Sequence, residues 1–146
     1  VTGTLLHNTF VRNTVGVGAG QYAIHVNEPR VTLAVTNNLF SGHAYAVYGS
    51  ANSTVTMACN LFWDNSLGDV GGQNVTNLQP ITGMNPLLDA NYHLLSGSPA
   101  IDAALPSSVT QDIDGDPRPY GAQSDIGADE WMPHFLHLPL VVRTHP

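Results

Sequence analysis

Lysine does not occur in this chain. The basic residues are Arg12, Arg30, Arg118 and Arg143, so Lys plus Arg total 4 among 146 residues. A nucleic-acid surface needs clustered positive charge, and this scarcity argues against one. Charge of either sign is sparse, at 10%, against about a quarter in an average globular protein. The polar surface must come from Asn, Ser, Thr and Gln, which fits an extracellular β-rich protein. Cys59 is the single cysteine, which rules out an internal disulfide. No apolar run is long enough to make a transmembrane helix. No signal peptide is visible, and residue 1 already reads as the middle of a repeat. The chain is therefore expected to be a mature C-terminal piece or a fragment of a longer precursor.

Repeats are plentiful. Asn8-Thr9-Phe10, Asn38-Leu39-Phe40 and Asn60-Leu61-Phe62 occupy one position in successive units, and Tyr22-Ala23-Ile24 matches Tyr45-Ala46-Val47. The second step of the Asn series is the length of a solenoid repeat. The first step is longer, and Gly16–Gly20 is the candidate insertion. Inside each unit the period is two. Val55, Met57, Cys59 and Leu61 alternate with Thr54, Thr56, Ala58 and Asn60. That is the alternation of strands with one buried face. Nothing over Val1–Asn77 keeps apolar residues at helical spacing.

The fold expected is all-β: a right-handed parallel β-helix, or solenoid, of few turns, with an irregular C-terminal cap and a terminal extended strand. One turn cannot bury its own apolar face, whereas stacked turns share a continuous core. Asn8, Asn38 and Asn60 are expected to form a hydrogen-bonded ladder at a corner that needs left-handed backbone. An antiparallel sandwich or jelly roll is the alternative. The turns are assigned to residues 1–78, with Trp63–Leu78 an irregular last turn and Gly71-Gly72 a loop. Prolines from Pro80 onward mark a cap over residues 79–131, wrapped over the end of the stack to shield its open strand row. Leu94, Ile101 and Ile126 should dock it. Residues 132–146 form an extended apolar tail.

The cap carries the most specific motifs. Asn85-Pro86-Leu87-Leu88 precedes Ser98-Pro99-Ala100-Ile101-Asp102, then Asp112-Ile113-Asp114-Gly115-Asp116-Pro117-Arg118-Pro119, then Asp125-Ile126-Gly127-Ala128-Asp129-Glu130. This series resembles the C-terminal "choice-of-anchor" cap of secreted bacterial pectin-lyase-like β-helix proteins, over residues 85–131. The resemblance implies the β-helix and an extracellular or cell-surface location. It implies no particular activity, because one fold hosts many functions.

Some members of that group are polygalacturonases and pectate lyases, whose catalytic motifs this sequence lacks. Ser41-Gly42-His43-Ala44 lacks the second glycine of the Gly-His-Gly motif. Asp-Asp is missing, and Arg-x-Lys cannot occur without lysine. Arg12 and Arg30 have no acid cluster near them in sequence. Asp64 and Asp69 are the only close carboxylate pair in the turns. Ser98, His93 and Asp102 are triad residue types without the nucleophile elbow. The chain is read as non-enzymatic, with no required cofactor.

Calcium is the one candidate cofactor. Asp112, Asp114, Asp116, Asp125, Asp129 and Glu130 hold six of the eleven acids, and the cap could fold both segments around an ion. The Asp112–Asp116 segment departs from the EF-hand pattern. The competing reading is that these carboxylates accept backbone N–H groups in turns and that one pairs with Arg118. His7, His25 and His43 are assigned to an outward face. His134 and His137 have no evident carboxylate partner. Cys59 is expected in the core. Asn52 and Asn74 begin Asn-x-Ser/Thr sequons and are candidate glycosylation sites.

Two partner classes follow. Phe135, Leu136, Leu138, Leu140, Val141 and Val142 form an apolar β-prone strand that could add to the open end of another copy, giving homo-oligomers or a head-to-tail filament. Tyr22, Tyr45, Tyr48 and Trp63 could instead form an aromatic face for extracellular polysaccharide, as on an adhesin or stalk domain.

Overall fold

A computed structural model describes residues 1–12 and 22–133. It contains eleven short strands: β1 (Thr2–Leu6), β2 (Thr9–Val11), β3 (Tyr22–Val26), β4 (Thr32–Thr36), β5 (Leu39–Ser41), β6 (Tyr45–Gly49), β7 (Thr54–Ala58), β8 (Leu61–Trp63), β9 (Gly68–Gly72), β10 (Val75–Leu78) and β11 (Ile81–Thr82). There is no helix among the described residues. The strands form three sheets, β1-β4-β7-β10, β2-β5-β8-β11 and β3-β6-β9. Every pair is parallel. The chain visits the three sheets in rotation, so each strand pairs with the strand three places on. That succession is compatible with a parallel β-helix.

The register follows the repeats. Thr9, Leu39 and Leu61 share one position, and Phe10, Phe40 and Phe62 share the next. The long first step is absorbed between β2 and β3. The candidate insertion Gly16–Gly20 falls there and lies outside the described residues.

Inward phenylalanines build the first core. Phe10 stacks on Phe40 at 4.8 Å between ring centroids, and Phe40 on Phe62 at 5.4 Å. Val35, Ala46, Val47, Val55 and Met57 pack around them. The asparagine ladder forms as the sequence predicts. Asn38 Oδ1 accepts the Asn8 backbone N–H at 2.9 Å, and Asn60 Oδ1 accepts that of Asn38 at 2.8 Å. The side-chain amides of Asn38 and Asn60 donate back to the carbonyls of Thr36 and Val35. Asn38 and Asn60 are fully buried rather than turned outward. A buried amide is tolerated where its donors and acceptors are satisfied.

Next to this ladder runs a left-handed corner. His7, Asn37, Cys59 and Gln79 have φ of 52°, 56°, 51° and 49°. Each follows the last residue of a strand in the first sheet. The corner breaks the period of two, so Cys59 points away from Met57. It joins a second core with Leu39, Leu61, Leu94, Ala100, Ala104 and Ile126. The cap therefore lies along the outer side of the β2-β5-β8-β11 sheet and not only over an end of the stack. It reaches the first turn, where Thr9 Oγ1 accepts the Ala128 N–H at 2.9 Å. It also reaches the second, where Asn37 and Leu105 exchange two hydrogen bonds at 2.8 and 2.9 Å. Leu94 and Ile126 are buried in this contact, and Ile101 packs against it.

Three expectations for the last turn need correction. Trp63–Leu78 is regular, because β9 pairs with β6 and β10 with β7. The strand pattern runs on to Thr82 in β11, past residue 78. Gly71-Gly72 is strand rather than loop, because it pairs with Tyr48-Gly49 of β6, and residue 71 is glycine because tyrosine rings from β6 occupy the space beside it. A Cβ there would sit 2.8 Å from Tyr48 Cδ2 and 2.9 Å from Tyr45 Cδ1.

Candidate functional site

The β3-β6-β9 sheet carries an aromatic cluster. Register pairs Tyr22 with Tyr45, and His25 with Tyr48. Ring centroids lie 6.2 Å apart for Tyr22–Tyr45, 4.9 Å for Tyr22–Tyr48, 5.5 Å for Tyr45–Tyr48 and 4.6 Å for Tyr22–His25. Glycines of β9 make room, since Gly68 stands opposite Tyr45 and Gly71 opposite Tyr48. The three tyrosines are half-buried and His25 is exposed. Each ring packs on one side and shows part of itself to water. Aromatic faces carry negative potential and phenol groups form hydrogen bonds, a combination suited to amphipathic ligands.

This grouping corrects the sequence-based set. Tyr22, Tyr45 and Tyr48 come together, but Trp63 does not. Trp63 aligns with Ser41 in another sheet and packs against the cap core. His25 was missed as a cluster member. The signal existed: it stands three residues after Tyr22, as Tyr48 does after Tyr45.

The six acids of the cap do not form one site. Asp112 Oδ1 accepts the N–H groups of Asp114 and Asp116 at 2.9 and 2.8 Å, and its Oδ2 accepts that of Glu130 at 3.0 Å. Asp125 accepts from Asp102 at 2.7 Å and from Trp131 at 2.6 Å. Glu130 accepts from Tyr120 at 2.6 Å and from Asp125 at 2.9 Å. Asp129 accepts from Leu94 at 2.7 Å. These carboxylates terminate backbone donors in an irregular segment that has no ladder to satisfy them. Asp114 and Asp129 converge elsewhere, on His93.

Arg118 is the counter-charge. Its Nη1 lies 3.3 Å from Glu130 Oε2, with both side chains fully buried. The guanidinium also donates to the carbonyls of Asp125 and Gly127, each at 2.9 Å. His7 meets this group from the first turn. Contrary to an outward placement, His7 is 6% exposed. Its Nε2 lies 3.1 Å from the Asn37 amide nitrogen, and its Nδ1 lies 3.0 Å from the Asp125 carbonyl oxygen. Burial first, and the Arg118 charge second, lower its pKa to about 4. Burial raises Asp125 to about 6 against its two backbone donors.

The residues of catalytic type are spread out. His43 Nε2 faces the Phe10 carbonyl oxygen at 3.2 Å, and burial lowers its pKa. Asp69 accepts from the Asn65 amide at 3.1 Å. Ser98 Oγ accepts the Ala100 N–H at 3.2 Å, whereas Asp102 Oδ1 accepts those of Ala122 and Gln123. His93 faces Asp89 and Asp114 instead. Cys59 donates to the Ala103 carbonyl at 3.1 Å, and burial raises its pKa, which disfavours the reactive thiolate. Asn52 and Asn74 are exposed at bends between strands. His134, His137 and the segment Phe135–Val142 lie outside the described residues. No helix among the described residues is long and apolar enough to cross a membrane. No protein-family model matches the chain, and neither a curated protein nor a solved structure matches it significantly.

Proposed function

We propose that this chain is a non-catalytic, extracellular parallel β-helix module whose aromatic sheet face binds polysaccharide. The rotation of the chain through three parallel sheets supports the β-helix. The ordered motifs of residues 85–131 support likeness to the choice-of-anchor caps of pectin-lyase-like proteins. The observation that carries the ligand class is the Tyr22–Tyr45–Tyr48 cluster with exposed His25 beside it. A pyranose presents polarised C–H bonds on one face and hydroxyls around its rim. The first suit a tyrosine face, and the second suit the phenol and imidazole groups. A net charge of −7 without lysine favours neutral glycans over polyuronates.

Affinity electrophoresis in gels containing soluble neutral polysaccharides tests this reading. Retardation is expected for the wild type. Tyr48→Ala should weaken binding at least tenfold, about 1.4 kcal/mol. Tyr120→Ala, on the cap, should leave it unchanged. Absence of retardation in every gel, or equal retardation of Tyr48→Ala, would refute the ligand class.

A second reading is structural self-assembly. Among the described residues, each of β1, β2 and β3 has a strand partner on one side only. Such a row offers unpaired N–H and C=O groups to a strand from another copy. The apolar, β-prone segment Phe135–Val142 is the proposed donor. Light scattering should find oligomers or filaments of the full chain and monomers after deletion of residues 132–146. An unchanged mass after deletion would remove the tail from the mechanism.

A further inference from the structure

We infer that His93, Asp114 and Asp129 form a binding site for a divalent transition metal of the zinc class. One ligand atom from each residue lies within 4.8 Å of the other two. His93 Nε2 and Asp114 Oδ2 are already 3.0 Å apart. Ligands of a tetrahedral zinc ion at about 2.0–2.1 Å stand roughly 3.3 Å from one another. Small side-chain rotations therefore bring the set to bonding distance.

Each ligand is held for the task. Asp129 is nearly buried, and its Oδ2 accepts the Leu94 N–H at 2.7 Å. That bond fixes the carboxylate and leaves its other oxygen for the ion. Asp114 projects from the turn that Asp112 organises. His93 sits in a tight loop in which Asp89 Oδ1 accepts the N–H groups of Asn91 and His93 at 2.7 and 2.9 Å. Asp89 Oδ2 stands 3.6 Å from His93 Nδ1. A carboxylate behind the far ring nitrogen orients a ligating imidazole and raises its basicity.

The donor set selects the metal. One imidazole nitrogen and two carboxylate oxygens suit Zn²⁺ or Co²⁺, whereas Ca²⁺ and Mg²⁺ prefer oxygen alone. Three protein ligands leave a fourth position. The site borders a cleft of about 350 Å³ lined also by Thr9, Val11, Tyr92 and Ile113, where water or a small ligand can complete the coordination. The ion would clip three cap segments together: the Asp89–His93 loop, the Asp112–Asp116 turn and the irregular segment at Asp129.

Calorimetric titration of the full chain with ZnCl₂, and separately with CaCl₂, tests the site. The expected result is one saturable zinc site, at least tenfold weaker in His93→Gln and in Asp114→Asn and unchanged in Asp116→Asn. Both lost side chains are partly exposed, so circular dichroism should be unaltered. Co²⁺ should give the visible absorption of a tetrahedral complex in the wild type and lose it in His93→Gln. No saturable zinc binding, binding that ignores His93→Gln, or a preference for calcium would each overturn the assignment.

Discussion

Glu130→Gln is expected to lower folding stability by about 3–5 kcal/mol, because it leaves the buried Arg118 charge without a counter-charge. The substitution keeps the shape of the side chain. Its loss is in charge and in acceptors. Oε1 and Oε2 each receive a backbone N–H, from Tyr120 and Asp125. A glutamine amide must turn its NH₂ toward one of them, setting donor against donor. Arg118 keeps its bonds to two carbonyls but stays buried as an uncompensated cation. Urea unfolding of the wild type and Glu130→Gln measures the difference. A cost below about 1 kcal/mol, the range of exposed pairs, would mean that water reaches the pair and that it does not latch the cap.

His7→Asn should change how stability depends on pH. Asn37 occupies the equivalent corner with φ of 56°, so asparagine suits that backbone. His7 Nε2 lies 3.1 Å from the Asn37 amide nitrogen, and Nδ1 lies 3.0 Å from both the Asp125 carbonyl oxygen and the Arg118 guanidinium. A doubly protonated ring would therefore set N–H against two donors, Asn37 and Arg118. The folded pKa is about 4 against 6.5 for the free side chain. Between these values the unfolded chain binds more protons, so the His7 contribution is whole above pH 6.5 and is lost as pH falls toward 4. Asp125 acts with the opposite sign. Its folded pKa is raised to about 6 from 3.8, so the folded state takes up its proton first and stability rises as pH falls through that window. The two offset each other in the wild type. Removing His7 leaves the Asp125 effect exposed. The stability advantage of wild type over His7→Asn should shrink by about 3 kcal/mol between pH 7 and pH 4, at about 1.4 kcal/mol per pK unit. Thermal melts of both proteins across that range check it. A constant difference would show that His7 is not held neutral by the fold.

Both predictions concern residues whose partners are far away along the chain. His7 and Arg118 are 111 residues apart and meet at 3.0 Å. Arg118 was readable as a partner for some acid, because it is the one basic residue within the acid-rich segment. Which acid it pairs with was not, since Asp112, Asp125 and Glu130 are all close in sequence. His93 with Asp114 and Asp129 left no trace in spacing, because the loops of an irregular cap bring them together. Trp63 looked like a companion of the tyrosines by residue type alone. Its register position puts it on another sheet.

Local chemistry determined much of the architecture. Alternation at period two, five-residue strands and the repeated Asn-x-Phe triplets indicated parallel stacked strands and the asparagine ladder. The physics there is local: side chains alternate along a strand, and identical turns must stack identically. The doublets Leu39-Phe40 and Leu61-Phe62 also held a sign that this sheet is buried on both faces, since such strands lose alternation. The tertiary structure alone decided where the cap lies. Proline-rich, irregular chain has no period to assign its direction, so its course is set by where unsatisfied N–H groups find carboxylates and where Leu94, Ala100 and Ile126 find Leu39 and Leu61. The left-handed corner then turns His7, Asn37 and Cys59 toward that cap, a reversal that a period-two reading cannot contain.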